Sequence, residues 1–365
     1  MDPIISFSEQ ITNEDQKQNL NLTAFSWNII ESDIVNFSAD IHSPLNLATF
    51  LNKIIINCEE NPELLSYPCN ISSIANEKQK KFSSLLSMHL SDTERTNLKK
   101  DLLLGLMSDY EKELIQKNDK HRLKGIAKKF RLSNKAYNLL CSIPSDDFKT
   151  SIFKKPGTYL KVLFEEYSML PTSEREKIFF IDIVQKIERA IAQKQELLIT
   201  SGQYRFDMIP YKITTDAYLS HLYLAGKSCI HPAEGASSFT ASSFRISRII
   251  SLSMLGASDH PLDKKDKKEL DKRISAQDIQ FLLSDSINIK LRFTKEGVQK
   301  YQSQSYLRPS YAKKSANDIY EFQLTALQAF AYFFKFGKDV EILEPANLRT
   351  YFKHEYESAV NIYFS

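Results

Sequence analysis

The chain has 365 residues, of which 42% are apolar and 25% are charged, and its formal net charge is +3. This length predicts two or three domains, and the apolar fraction argues against an intrinsically disordered chain. The small net charge does not by itself indicate a nucleic-acid partner, and the nine glycines form no phosphate-cradling loop.

Targeting and redox signals are absent from the sequence. No run of about 18 apolar residues predicts a membrane span, and Met1–Gln10 lacks the pattern of a secretory signal. The cysteines lie far apart and form no C-x-x-C pair, so neither a zinc site nor a disulfide framework is expected. They are Cys58, Cys69, Cys141 and Cys229. We therefore expect a cytoplasmic protein with reduced thiols and no cofactor.

The first predicted elements are a strand, a helix, a turn and a second helix. Asn19–Thr23 alternates polar and apolar residues, which indicates a short strand. Ser26 is a suitable N-cap for a helix that continues through Phe37. Apolar spacing between Leu47 and Ile55 predicts the second helix.

A basic run follows later in the chain, with seven positive charges and no acidic residue. Such a local field attracts phosphates, although a solvated loop is the alternative interpretation. Within the run, Lys129–Ser133 alternates as the first strand does, and a short helical pattern follows. The seven residues are Lys120, Arg122, Lys124, Lys128, Lys129, Arg131 and Lys135.

The remainder of the chain predicts a helical connector followed by two further domains. The connector extends from Pro156 to about Gln195. Short strands then predict a small, partly closed β-barrel at Leu197–Thr200, Tyr204–Ile213, Ala217–Ala225 and Ser243–Leu252. The last part predicts a ferredoxin-like α+β domain. Its strands are Ile287–Phe293, Ile319–Leu324 and Asp339–Leu343, and its helices are Lys295–Tyr301, Ala326–Phe336 and Ala346–Tyr363.

The segment from Glu196 onward resembles the WYL-domain family of bacterial regulators. Leu222–Leu224 stands where that family has Trp-Tyr-Leu, with leucine in place of the tryptophan, for which we expect a packing change. Pro210–Ile213 and Phe244–Ile249 are similar to the segments that flank this signature. Gly337–Arg349 is similar to the C-terminal extension that accompanies WYL domains. The resemblance implies an SH3/Sm-like barrel followed by that extension.

The segment from Asn19 to about Asn61 resembles a ribbon-helix-helix unit. In such units two antiparallel strands enter the major groove and their outward side chains read bases. One chain can supply both strands, or each strand can pair with its copy in a dimer; an ordinary solvent-facing edge strand is the third interpretation. The candidate nucleic-acid-binding residues are Asn19, Asn21, Thr23, Lys128, Lys129 and Arg131.

The WYL resemblance also implies a pocket for a negatively charged ligand or nucleic acid. Arginine binds phosphate bidentately and tyrosine stacks on bases. The candidates are Arg205, Tyr211, His221, Tyr223, Arg245 and Arg248. Alternation across the predicted strand places His221 and Tyr223 on one face, where a hydrogen-bonded core pair is the alternative. Arg245 and Arg248 have opposite parity, so they share a pocket only if the strand bends or ends between them.

No nucleophile elbow or H-E-x-x-H pair indicates catalysis, although triads can assemble from distant residues. The sequence therefore predicts an α+β, multidomain, non-enzymatic and dimeric nucleic-acid-binding regulator that acts in transcription or defence. Ribbon-helix-helix units joined to WYL domains resemble accessory proteins of type VI-D CRISPR systems. The second hypothesis is therefore a single-stranded RNA-binding accessory of a CRISPR effector, and the third is an interaction scaffold.

The predicted regions are a ribbon-helix-helix-like region at 1–150, a connector at 151–195, a WYL domain at 196–280 and its extension at 281–365.

Overall fold

The computed structural model describes residues 16–40, 43–65, 80–81, 91–98, 101–102, 105, 109, 125–141, 156–218, 220–231, 239–259, 261–282 and 286–364. Predictions for Lys120, Arg122 and Lys124 lie outside these residues. The chain forms two compact units, residues 1–185 with 219–221 and residues 186–218 with 222–365. Helices and antiparallel sheets occur in the described part of both halves, which confirms the α+β, multidomain prediction.

The first unit contains a two-stranded antiparallel ribbon whose strands both come from this chain. Strand β1 (Lys17–Leu22) pairs with β2 (Ile126–Arg131), and Asn19 lies opposite Lys129. Each strand precedes two helices. The helices are α1 (Ala24–Asp40), α2 (Leu47–Glu60), α3 (Asn134–Cys141) and α4 (Pro156–Met169). The strand-helix-helix order therefore occurs twice in the described part of this unit.

Helix α1 begins three residues earlier than the sequence predicts, because Thr23 and not Ser26 caps it. The Thr23 carbonyl accepts the Trp27 N–H at 3.1 Å, and the Thr23 Oγ1 accepts the Ser26 N–H at 3.2 Å. Ser26 is fully buried and donates to Glu165 at 2.7 Å. Either hydroxyl could have served as the N-cap, and burial against α4 decided between them.

Helices α4 and α5 (Thr172–Phe179) contribute to the core of the first unit and do not stand apart as a connector. The Phe179 ring lies 5.1 Å from Phe37 and 5.2 Å from Phe50 between centroids. All three rings are almost fully buried, and these separations are within the range that aromatic pairs favour. Helix α6 (Ile181–Gln193) follows.

The second unit begins with a five-stranded antiparallel sheet in the order β6-β5-β4-β3-β7. Its strands are β3 (Gln195–Ser201), β4 (Tyr204–Thr215), β5 (Leu222–Ile230), β6 (Thr240–Arg245) and β7 (Ile249–Ala257). Two predicted strands were placed incorrectly. Ala217, Tyr218, Ser220 and His221 precede β5, and the Asp216 carboxylate accepts the Tyr218 N–H at 3.0 Å in a turn before the strand. The segment Ser243–Leu252 is divided by a short 3₁₀ turn over Ile246–Arg248.

Helix α7 (Lys264–Gln277) packs beside this sheet and is followed by a second antiparallel sheet of four strands. Its order is β11-β8-β10-β9, formed by β8 (Ile287–Phe293), β9 (Lys313–Ser315), β10 (Ile319–Leu324) and β11 (Val340–Glu344). Helices α8 (Lys295–Ser303), α9 (Ala326–Phe333) and α10 (Ala346–Asn361) alternate with the strands. The bounds predicted for β8 and β10 are confirmed.

An aromatic core fills this last region, which explains the high phenylalanine and tyrosine content of the sequence. Phe293, Phe322 and Phe333 are at most 4% exposed, and the Phe333 ring lies 5.9 Å from Phe293 and 5.2 Å from Phe322 between centroids. None of the helices in the described ranges has the length and apolar character needed to cross a membrane.

Candidate functional site

The outward face of the ribbon is polar and basic. Asn19 and Asn21 are exposed on β1, as are Lys129 and Arg131 on β2, whereas the intervening residues Leu20, Leu22 and Phe130 are buried. The period-two alternation therefore separates a core face from a solvent face. We use the term ribbon face for Lys17, Asn19, Asn21, Ala127, Lys129 and Arg131, whose cross-strand partners are set by the register.

Two side chains that the sequence analysis missed hold β2 in place. The Trp27 Nε1–H donates to the Ile126 carbonyl at 2.7 Å, and the Asn52 amide donates to the Arg131 carbonyl at 2.8 Å. The same Asn52 amide accepts the Ser133 N–H at 2.7 Å. The lone tryptophan and an asparagine inside an apolar helix face were the available signals. Together they fix both ends of the strand that carries Lys129 and Arg131.

Lys129 and Arg131 supply positive charge on the ribbon face. Neither forms an ion pair with any residue in the described ranges. They are two positions apart on one strand, so their Cα atoms are separated by about 7 Å. Asn19 lies directly opposite Lys129, and Asn21 extends over Gly125, where a Cβ atom would meet the Asn21 Oδ1 at 2.1 Å.

Lys128 and Thr23 lie away from the ribbon face. Lys128 pairs with Glu31, and its Nζ atom lies 4.7 Å from the centroid of the Trp27 ring, so that its charge is neutralised within the unit. Thr23 is engaged in capping α1, and its backbone N–H donates to Glu165 at 2.9 Å. Lys135 likewise pairs with Glu60 at 2.6 Å. The positive field of the described part of the basic run is therefore concentrated on Lys129 and Arg131.

The tyrosines expected to line a pocket in the five-stranded sheet have structural contacts. Tyr223 is 9% exposed and belongs to an apolar cluster with Leu270, Ile279 and Leu282. Tyr211 packs against that cluster and donates its hydroxyl to Asp271 at 2.8 Å. This hydrogen bond, together with burial, raises the pKa of Tyr211.

The arginines of this predicted pocket are only partly brought together. Arg245 lies directly opposite Tyr223. Strand β6 ends at Arg245, so the strand ends between Arg245 and Arg248, which is the condition under which the two arginines can share a pocket. Arg248 is exposed on the following turn. Arg205 lies beside Ile230 and His231, and is separated from Tyr223 along β5 by about 24 Å. Arg205 is therefore not part of a group with Arg245.

His221 precedes β5 and belongs to the first unit, whereas Tyr223 lies in the second. The His221 Nδ1 atom is 3.9 Å from the Oε2 atom of Glu176, and Glu176 is fully buried. The expected pairing of His221 and Tyr223 on one strand face is wrong, because the strand begins only at Leu222. Within the described residues, no group of three or more His, Cys, Asp or Glu side chains is arranged to hold a metal ion.

The fold of this chain is similar to that of a solved structure. The chain superposes on the crystal structure of a CRISPR Cas-related protein with a TM-score of 0.70 and 22% sequence identity, covering 100% of this chain and 99% of that one. A second match, the proteasome accessory factor B/C of Arthrobacter aurescens, has a TM-score of 0.27 and 16% identity, covering 66% of this chain and 37% of that one. The first value shows a shared fold and the second does not. No protein-family model and no curated protein matches the sequence.

Proposed function

We propose that this chain is a non-enzymatic, nucleic-acid-binding regulator of the WYL type, and that the ribbon face is its contact surface. The observation that carries the proposal is the placement of Lys129 and Arg131 on the exposed face of an intramolecular ribbon, without carboxylate partners in the described ranges. A basic surface of this kind binds the phosphate backbone, and the adjacent Asn19 and Asn21 carry amides that can bond base edges.

The finer fold assignments support the same proposal. A repeated strand-helix-helix order with both strands paired antiparallel favours a ribbon-helix-helix unit formed within one chain. The strand order β11-β8-β10-β9 favours the ferredoxin-like arrangement for the C-terminal region, and the five-stranded sheet before it supports the WYL assignment. Because one chain supplies the whole ribbon, the ribbon is no longer an argument for a dimer. The homodimer is proposed from the WYL resemblance alone.

A second candidate function is an RNA-binding accessory role beside a CRISPR effector. The observation that favours it is the end-to-end superposition on a protein described as CRISPR Cas-related. In this role, single-stranded RNA would lie along the ribbon face. Its phosphates would meet Lys129 and Arg131, and Asn19 and Asn21 would bond to splayed bases.

The test measures binding of duplex DNA and single-stranded RNA to the full chain by fluorescence anisotropy across a salt series. We expect Lys129→Ala and Arg131→Ala each to weaken binding and to reduce the slope of log K against log salt by about 1, because each removes one phosphate contact. Preference for the duplex favours the transcriptional role, and preference for the single strand favours the accessory role.

Lys128→Ala is the matched control, since Lys128 lies on the same strand but is paired with Glu31. Its affinity and salt slope should equal those of the unmodified chain. If Lys129→Ala and Arg131→Ala bind as the unmodified chain does, or if neither nucleic acid binds at low salt, the ribbon face is not the contact surface. The scaffold hypothesis would then remain.

A further inference from the structure

A cavity of about 220 Å³ opens in the second unit, and none of the predicted site residues lines it. The cavity is lined by residues from the turn before β5, from the end of α7 and from the loop between α8 and β9. Those used below are Tyr218, Asp278, Arg308 and Gln328. One water needs roughly 10–15 Å³ of such space, whereas pockets for drug-sized ligands exceed about 300 Å³. The cavity therefore holds far more than a few water molecules and suits one small ligand.

Gln328 is the buried polar group of this cavity. Its side chain is 9% exposed, and its Oε1 atom is shielded from solvent and accepts no hydrogen bond from any described residue. Buried amides normally find partners, and an orphaned one calls for an explanation. The last torsion of a glutamine side chain is soft, so the amide can turn toward a ligand that offers an N–H group.

Arg308 supplies the positive charge. It is exposed, forms no ion pair with a described residue, and uses one N–H group to bond the Gln302 carbonyl at 2.8 Å. Its guanidinium carbon lies 5.9 Å from the centroid of the Tyr301 ring, which orients the group. The remaining N–H donors form the planar fork that binds phosphate.

The loop that carries Arg308 is fixed at several points. The Tyr301 hydroxyl donates to the Pro309 carbonyl at 2.5 Å, and the Tyr332 hydroxyl donates to the Gln304 carbonyl at 2.8 Å. Between these anchors, Leu307 adopts a φ of 56°, which is strained for a bulky residue. Strain of this kind persists where the surroundings over-determine the backbone, and it is common beside ligand sites.

Tyr218 and Asp278 add an aromatic ring and a carboxylate to the cavity lining. Tyr218 is 42% exposed, and its ring lies 4.5 Å from that of Tyr306, so an aromatic surface borders the cavity. The Asp278 carboxylate accepts the N–H groups of Ala217 and Ile279 at 3.3 and 2.6 Å and the Gln280 amide at 3.2 Å. A carboxylate has about four acceptor positions, so room for a further donor remains.

We propose that this cavity binds a single nucleoside monophosphate whose base carries an exocyclic amino group. The base would stack on Tyr218, its amino group would donate to Gln328 and Asp278, and its phosphate would bind Arg308. The lining offers the acceptor oxygens of Gln328 and Asp278 and the cation of Arg308, which fit a ligand that has N–H donors and an anionic group. The site is separate from the ribbon face and goes beyond the function proposed above.

The experiment is calorimetric titration of the full chain with CMP, UMP and cytidine. CMP and UMP have the same size but differ at position 4 of the base, where CMP has an amino group and UMP has a carbonyl. We expect CMP to bind at least about tenfold more tightly than UMP, because UMP leaves the buried acceptors unpaired. Equal affinities, or no saturable binding of CMP at millimolar concentration, would overturn the proposal.

Two variants assign the contacts. Arg308→Ala should weaken CMP binding at least about tenfold and leave cytidine binding unchanged. Gln328→Leu should remove the preference for CMP over UMP. Arg292→Ala is the matched control, because Arg292 is an exposed arginine of the same unit that pairs with Glu341 at 3.5 Å, and it should bind CMP normally.

Arg308 is exposed, so its variant tests the site even if Gln328→Leu fails to fold. Unchanged CMP affinity in Arg308→Ala would contradict the assignment. Nucleic-acid binding through the ribbon face can fail or succeed independently, since this titration uses mononucleotides alone.

Discussion

Asp33 lies at the centre of a buried polar cluster in the first unit. It is 1% exposed, accepts the Arg175 Nε–H at 2.7 Å, and accepts the Tyr167 hydroxyl at 2.8 Å. Burial raises the pKa of Tyr167 well above its ordinary value, and the charge of Asp33 adds to this effect. Tyr167 therefore remains a protonated donor, and the cluster joins α1 to α4 and α5.

Replacing Asp33 with alanine should lower the free energy of unfolding by about 3–5 kcal/mol, because Arg175 is then left as a buried charge without its partner. Urea denaturation of the variant measures this loss. Glu357→Ala serves as the control, since Glu357 and Lys353 form an exposed pair at 3.6 Å whose removal should cost less than about 1 kcal/mol. A loss below about 1 kcal/mol for Asp33→Ala would show that the cluster does not stabilise the unit.

Helix α7 is the clearest case of an element whose role depends on its neighbours. Its charges resemble an ordinary solvated surface, yet Asp266 bonds Lys227 and Asp271 bonds Lys212, both at 2.5 Å. These two lysines belong to β5 and β4, so that the acidic residues join the helix to the sheet. Asp263 and Asp266 also form a capping box at the start of the helix.

These contacts predict an acid-dependent loss of stability. Hydrogen bonds from Lys227 and Lys212 lower the pKa values of Asp266 and Asp271 below the ordinary value of 3.8. A lowered pKa in the folded state stabilises the protein above the unfolded value, and that contribution is lost as pH falls through the folded value. The stabilisation should therefore be complete above about pH 4 and decline below it.

Thermal unfolding from about pH 6 to about pH 3 measures this effect. Asp271→Asn should flatten the decline of the melting temperature below pH 4, because its amide does not titrate. Asp318→Asn is the control, because Asp318 and Lys314 form a long, exposed ion pair at 3.9 Å. This variant should keep the pH dependence of the melting temperature that the unmodified chain shows. A variant curve parallel to that of the unmodified chain would count against a stabilising contact between Asp271 and Lys212.

At the scale of the whole molecule, the chain has two compact units, each with its own core. Units with separate cores can unfold in separate steps. Asp33 belongs to the first unit. Gly226 belongs to the second, where a Cβ atom would lie 2.2 Å from the Ile209 carbonyl oxygen, so alanine cannot fit without moving the strand.

Scanning calorimetry of the full chain should show two transitions. We expect Asp33→Ala to lower one of them by roughly 10 °C and Gly226→Ala to lower the other, because each substitution damages a different core. Gly256→Ala should shift neither, since a Cβ atom there meets nothing within 4 Å. A single transition lowered by both destabilising variants would instead mean that the chain unfolds as one unit.

Local pattern by itself determined the elements whose side chains alternate cleanly between core and solvent. The bounds of Ile287–Phe293 and Ile319–Leu324 followed from their alternation, and so did the outward placement of Asn19, Asn21, Lys129 and Arg131. Each strand has one buried and one exposed face, so period two is a property of the strand that needs no knowledge of its partner.

Only the tertiary structure decided which charges remain available. Lys128 and Lys129 are neighbours of the same type, yet Glu31 neutralises one and the other faces solvent. Thr23 became a cap because Ser26 was buried against α4, and the pairing of β1 with β2 joined segments about a hundred residues apart. These outcomes depend on contacts between distant parts of the chain, which local periodicity does not encode.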